Sequence, residues 1–303
     1  MTEERVVDVG RGIDLCYRVD GEEADQAILL IAGLGQQLNV WPPAFVDALV
    51  TEGYRVVRFD NRDVGRSSRS DAPVPRRWRL VRRRFSDVQY TLSDMAGDAE
   101  GLLDALMIPA AHLVGMSMGG MIAQTLAAGS PERALTLTSM MSTTGARRVG
   151  RTALSTQSLM LRRPPRSRDA AADRLVAIMH HIGSRGFSFD EQQARAVALE
   201  AWDRSGGANT AGVLRQIAAI YKSGDRTAAC SRISAPTLVI HGDRDRMVHP
   251  SGGRATAAAI RGARLETIAG LGHDLPADAW SQLVAAIVDH ARQSRAAGKE
   301  AVA

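Results

Sequence analysis

His112-Leu-Val-Gly-Met-Ser-Met-Gly-Gly-Met121 holds the decisive reading of this chain. An apolar run, Ala111 to Met116, enters Gly115-Met116-Ser117-Met118-Gly119, a G-x-S-x-G pattern. Met118 to Ala128 then follows with the Ala, Met, Leu and Gln content of a helix. A serine at a sharp strand-to-helix turn needs glycines two positions to either side, because the flanking backbones crowd together there. The turn holds the hydroxyl out at the helix N-terminus, where N–H groups and the positive end of the helix dipole favour the negative charge of a tetrahedral intermediate. The residues thus nominate Ser117 as a nucleophile. Chance supplies about 0.2 such patterns in a chain of this composition, so the strand before it and the helix after it carry the weight. The competing reading is a small Gly/Ser turn that packs a helix on a sheet.

An activated serine needs a base, and the base an orienting acid. Downstream, Ala235-Pro-Thr-Leu-Val-Ile-His-Gly-Asp-Arg-Asp-Arg-Met-Val248 reads as a strand, Thr237 to His241, and a turn carrying two acids. Asp243 and Asp245 are both candidates on the residues alone. Arg264-Leu-Glu-Thr-Ile268 reads as another strand, and the Gly-rich loop Ala269-Gly-Leu-Gly-His-Asp-Leu-Pro276 puts His273 just past it. The order Ser, Asp, His, each after a strand, differs from the two best-known protease orders. His112, His180, His181, His241, His249 and His290 lack the Gly-flanked loop and read as structural.

With these segments go Ile31-Ala-Gly-Leu-Gly35, after the first long apolar strand, and Arg58-Phe-Asp-Asn-Arg-Asp-Val-Gly-Arg-Ser-Ser68. Taken in order, they resemble the α/β-hydrolase superfamily over nearly the whole chain, and among its members the esterases of the aclacinomycin methylesterase type. The resemblance implies an α/β fold with a mostly parallel central sheet, helices on both faces and an inserted helical cap. It selects Asp245 as the acid, three positions after the turn glycine Gly242, with Asp243 a turn residue and His273 the base. It implies an oxyanion hole from the backbone N–H groups of Leu34 and Met118. Where many relatives have His-Gly this chain has Ala32-Gly33, which leaves a backbone donor intact. The implied activity is hydrolysis of a carboxylic ester, a methyl ester or another apolar small-molecule ester, by a Ser117-His273-Asp245 triad and an acyl-enzyme. The same fold hosts perhydrolases, haloperoxidases, lyases, cyclases and ligand-binding receptors.

Composition bounds the rest. A chain of 303 residues with 45% hydrophobic content can bury one α/β core with an insertion. The core is expected over 1–144 and 231–303. Strands are expected at 5–9, 13–19, 27–32, 54–59 and 134–140, and a helix at 91–107. Between about 145 and 230 the strand signal gives way to helical segments near 169–182, 190–204 and 209–222, which read as a cap over Ser117. A last helix at 278–292 and an unstructured polar tail follow.

Two cysteines, Cys16 and Cys230, offer no disulfide framework. Met1-Thr-Glu-Glu-Arg5 lacks an apolar leader and no apolar run approaches ~18 residues, so a cytoplasmic protein without membrane insertion is expected. The net charge is +5, almost all the positive charge being arginine. Pro75 to Phe85 interleaves Trp78 and Phe85 with arginines, which suits nucleic acid or an anionic membrane. A solvated flap beside the active-site mouth is the preferred reading, so nucleic acid is not an expected partner. No H-x-x-x-H spacing appears, and neither a metal nor a cofactor is expected. In Asp60-Asn-Arg-Asp63, Arg62 is expected to pair with Asp60 or Asp63 as scaffold. Met116, Met118, Met121 and Met140 read as packing between sheet and helix, or as the lining of an adaptable acyl pocket.

Overall fold

The computed structural model describes residues 3–160 and 162–300, with side chains left undescribed at 77, 81 and 294–300. A single eight-stranded sheet forms from β1 (Arg5–Asp8), β2 (Asp14–Asp20), β3 (Gln26–Ile31), β4 (Tyr54–Phe59), β5 (Ala111–Met116), β6 (Ala134–Met140), β7 (Thr237–Gly242) and β8 (Arg264–Ile268). Its order is β1-β2-β4-β3-β5-β6-β7-β8. β1 and β2 pair antiparallel, as do β2 and β4, and every later pairing is parallel. The inner parallel strands β3, β5 and β7 are buried on both faces, which suits their apolar runs, whereas the edge strand β8 is largely not buried.

Alternation along those strands divides the interior in two. Leu29 and Ile31 face one core with Leu113, Leu137 and Phe59, while Ile28 and Leu30 face the other with Val114, Ile240 and Leu238. On the second face lie α1 (Pro43–Thr51), through Phe45 and Leu49, and the C-terminal helix, through Leu283 and Ile287. The first face receives α3 (Leu92–Ala105) and α4 (Met118–Gly129). Between α1 and α3 is a short α2 (Arg77–Val81), inside the arginine-rich run. The Thr91 side chain accepts from Asp94 N–H while Asp94 accepts from Thr91 N–H, a capping box that fixes where α3 starts.

Between β6 and β7 the chain leaves the sheet for α5 (Leu154–Met160), α6 (Arg168–Ile182), α7 (Glu191–Ser205), α8 (Thr210–Ser223) and α9 (Thr227–Cys230). α10 (Ser251–Ala259) joins β7 to β8. The C-terminal helix, α11, runs Trp280–Glu300, past the expected stop at 292 and into the tail expected to be unstructured, of which 301–303 lie outside the described residues. Gln293 to Ala297 has no proline and only good or tolerable helix formers, so nothing ends the helix there. α5, α9 and α2 are too short for a periodic signal and escaped the sequence reading. Among the described residues, no helix is long and apolar enough to cross a membrane.

The helical insertion is bolted to the core by buried charge. Arg204 of α7 reaches Asp60 at 2.9 Å, and Arg215 of α8 grips Asp63 at 2.7 Å, both carboxylates fully buried. These pairings correct the expectation for Arg62. Its guanidinium turns the other way and forks onto Asp98 of α3, with both contacts at 2.5 Å. A residue one or two positions away is the natural expectation, but Asp60 and Asp63 are already claimed by arginines from the insertion. Fork geometry on a buried carboxylate is demanding, and α3 presents Asp98 in line with it. Truncating one member of such a pair strands the other charge. Arg62→Ala is expected to lower unfolding stability by about 3–5 kcal/mol, read by urea denaturation, and an unchanged midpoint would contradict this account.

Candidate active site

The sheet reverses its winding between β3 and β5, since β4 lies to one side of β3 and β6 beyond β5. At such a switch point the loops at the strand C-termini diverge and leave a crevice. Ser117 follows β5 directly, and Gly33 to Gln36 follows β3. The two loops meet there: a Cβ placed on Gly33 would lie 3.3 Å from the Ser117 Cβ.

Ser117 has φ 57° and ψ −118°, a region that non-glycine residues seldom occupy. Three bonds hold its backbone: its N–H donates to Met140 C=O at 2.8 Å, and its C=O accepts from the Ser142 hydroxyl at 2.8 Å and from Met121 N–H at 3.2 Å. The neighbouring glycines are required sterically. A Cβ at Gly115 would come 2.2 Å from Gly119 C=O, and one at Gly119 2.0 Å from Ile31 C=O. Both obstacles are backbone and cannot step aside. The half-buried hydroxyl stands at the N-terminus of α4. The N–H groups of Leu34 and Met118 have no recorded hydrogen bond among the described residues.

His273, on the loop after β8, brings Nε2 to 3.0 Å from Ser117 Oγ and Nδ1 to 2.7 Å from Asp245 Oδ2. An ionised carboxylate only accepts, so Nδ1 carries the proton and Nε2 presents its lone pair to the serine. Asp245 is 4% exposed, and its other oxygen accepts the N–H groups of Met247 and Val248, each at 2.8 Å. Burial works to raise the Asp245 carboxyl. The charge of His273 and hydrogen bonds from His241 and His273 outweigh it and hold the group below the ordinary carboxylate range. Asp243 faces elsewhere: it accepts Gly270 N–H at 2.7 Å and shapes the histidine loop, as a turn residue would.

His241 was read as structural, and it sits closer to the site than that reading implied. Its Nε2 donates to Val248 C=O at 2.8 Å and lies 3.3 Å from Asp245 Oδ2, so Asp245 is flanked by two imidazoles. Its Nδ1 is buried without a hydrogen-bond partner among the described residues. The signal available was its position at the end of the acid strand, four residues before Asp245. His112, at the start of β5, bonds Thr136 and Gln26, and His290, on α11, bonds Pro236 C=O. His180, His181 and His249 contact Glu191, Ser155 and Ser251.

The insertion grips the histidine loop as well. His273 N–H donates to Ile182 C=O at 2.9 Å, at the end of α6, and Gly272 N–H donates to Ser184 Oγ at 2.9 Å. Asp274 accepts both the N–H and the hydroxyl of Ser184, yet burial pushes its carboxyl up. No sequence pattern announces these contacts, which join residues about ninety positions apart. The methionines divide between the two cores, Met118 and Met121 on one face, Met116 and Met140 on the other, and all four are buried. They pack sheet to helix and do not line one pocket.

The arginine-rich run folds onto itself and onto α8. Arg79 and Arg82 lie over the Trp78 ring, Arg83 over Tyr221, and Lys222 binds the carbonyls of Ser86, Asp87 and Gln89. Among the described residues there is no group of three or more His, Cys, Asp or Glu side chains able to hold a metal ion.

This chain belongs to the α/β hydrolase fold family, whose model matches residues 26–279. It is similar to rhodomycin D methylesterase DnrP of Streptomyces peucetius, 33% identical over 90% of this chain and 93% of that one. The corresponding methylesterase DauP of Streptomyces sp. strain C5 is also 33% identical, with the same coverage. Among solved structures, the enol-lactonase of Burkholderia xenovorans LB400 superposes with a TM-score of 0.72 at 25% identity, over 94% of this chain and 99% of its own.

The depressed Asp245 carboxyl has a consequence for stability. A group whose folded pKa lies below its unfolded value, about 3.9 for Asp, stabilises the fold fully above that value. The contribution fades as pH falls through the folded pKa. Asp245→Asn should therefore flatten the loss of unfolding free energy below about pH 4. Parallel acid limbs for parent and variant would contradict the assigned direction.

Proposed function

We propose that this protein is a carboxylic ester hydrolase working through Ser117, His273 and Asp245, with Leu34 and Met118 N–H as its oxyanion hole. The observation that carries the reading is the unbroken hydrogen-bond chain from Asp245 through His273 to Ser117, ending on a strained serine at a helix N-terminus. In the first step His273 Nε2 takes the Ser117 proton as Oγ bonds to the ester carbonyl carbon. Asp245 keeps the imidazole in that tautomer and stabilises its cation without taking its proton. The carbonyl oxygen, now an oxyanion, faces the Leu34 and Met118 N–H groups at the positive end of α4. Collapse breaks the bond to the alkoxy group, which leaves as the alcohol with the proton from His273. Water then attacks the acyl-enzyme, giving its proton to His273, and the acid departs as Ser117 regains its hydrogen.

The proposed substrate is the methyl ester of a large apolar ring system. What supports this is the likeness to methylesterases over nine-tenths of the chain. We read 1–144 and 231–303 as the hydrolase core and 145–230 as a helical cap that roofs the pocket. Of the cap's apolar residues, Phe189 lies tilted against the His180 ring and Phe187 packs on the core.

A panel of methyl, ethyl and butyl esters of aromatic and alicyclic acids tests the proposal with the parent and three variants. Ser117→Ala is expected to abolish turnover, and Asp245→Asn to lower kcat by about 10⁴-fold. Asp243→Asn, which keeps an oxygen acceptor for Gly270 N–H, should leave kcat within a few-fold. The opposite ranking of the two aspartates, or turnover that survives Ser117→Ala, would overturn the reading.

A further inference from the structure

Gly33 to Gln36 is a turn closed by Gln36 N–H to Gly33 C=O at 3.2 Å. Gly35, its third residue, has φ +68°, the positive value that a type II turn requires. Type I and type II turns differ by a flip of the central peptide, here the unit joining Leu34 to Gly35. That peptide's direction sets ψ of Leu34 and φ of Gly35, and the type II form needs a group to hold it against the flip.

The group that holds it comes from the insertion, 181 residues away. Gly35 N–H donates to Oε1 of Gln216 on α8 at 2.8 Å, and Nε2 of the same amide donates to Arg62 C=O at 2.9 Å. Gln216 is fully buried. Its helix is pressed close, since a Cβ on Gly35 would come 2.9 Å from Val213 Cγ2 and one on Gly212 2.1 Å from Asp63 C=O. The neighbouring Arg215 anchors α8 through its fork on Asp63, so the amide is delivered by a fixed helix. The first peptide of the turn is secured separately. Its carbonyl, that of Gly33, accepts from Gln36 N–H, and in the peptide before it Gly33 N–H donates to Gln36 Oε1 at 2.9 Å. A trans peptide points its N–H opposite to its C=O, so the Leu34 N–H faces away from the closed side of the turn.

We propose that Gln216 is a positioning residue for the oxyanion loop, its buried side-chain amide tying the Gly33–Gln36 turn to the Arg62 backbone so that the turn, and Leu34 N–H with it, stays seated beside Ser117. This rests on the reading of Ser117 and Leu34 given under Proposed function. Gln216 touches no reacting atom. Its contribution appears only where an oxyanion forms.

The test uses p-nitrophenyl butyrate, a trifluoromethyl ketone of matching chain, which adds Ser117 Oγ to form an oxyanion, and the corresponding secondary alcohol, which cannot. For Gln216→Leu, kcat/KM is expected to fall about 10- to 100-fold and ketone affinity by a similar factor, while the alcohol binds as to the parent. Gln216→Glu retains an acceptor for Gly35 N–H but presents a carboxylate to Arg62 C=O until it is protonated. The ratio of its kcat/KM to that of the parent should therefore rise as pH is lowered. Parent-like ketone affinity in Gln216→Leu, or equal losses for ketone and alcohol, would overturn the proposal. If Gln216→Leu does not fold, a pH-independent ratio for Gln216→Glu does so alone. Turnover and ketone binding that survive Ser117→Ala in the parent background would instead remove the reading beneath it, and the proposal with it.

Discussion

A single backbone constraint organises this molecule: Ser117 is held at φ 57° and ψ −118°, between a strand and a helix that approach too closely for any side chain at Gly115 or Gly119. A non-glycine residue in such a region costs on the order of 1–3 kcal/mol, and the sheet and α4 supply the packing that offsets it. Because Gly119 rests on the Ile31 carbonyl, α4 starts beside the loop that follows β3. The serine hydroxyl, the N-terminus of α4 and the Gly33–Gln36 turn therefore meet at the point where the sheet reverses direction. The α/β hydrolase fold family takes its shared architecture from such local necessities, and the differences among its members from what is laid on top.

What is laid on top here is tied to the core at every loop that builds the site. Arg204 and Arg215 hold the loop after β4, Gln216 the turn after β3, and Ile182 with Ser184 the histidine loop. These contacts are short, mostly buried and made by α6, α7 and α8. α5 is different, with only Thr156 buried and Leu154 largely exposed. Its tie to the core is the Thr156 hydroxyl, which donates to Arg246 C=O at 3.2 Å on the loop after β7.

Local chemistry was legible in the sequence, and long-range pairing was not. The strand into Gly115-Met116-Ser117 announced itself through apolar continuity followed by glycines, and the eight strands fell within two residues of their expected limits where limits were drawn. The choice between Asp243 and Asp245 stayed open on residue spacing, because both follow the same strand. Side-chain direction separates them: Asp245 faces His273, while Asp243 bonds the Gly270 amide. The partners of Asp60 and Asp63 lie 144 and 152 residues away, beyond any periodic pattern, and without them Arg62 looked like the local answer. Gln216 was invisible for the same reason, being one polar residue on an amphipathic helix until its neighbour across the fold is known.

The central claim is that Ser117 is an activated nucleophile. Incubating the folded parent and its Ser117→Ala variant with a fluorophosphonate, then reading intact masses, tests it most directly. The account predicts one adduct on the parent, mapped to the peptide carrying Ser117, and none on the variant. An unlabelled parent, or labelling that persists in Ser117→Ala, would contradict it.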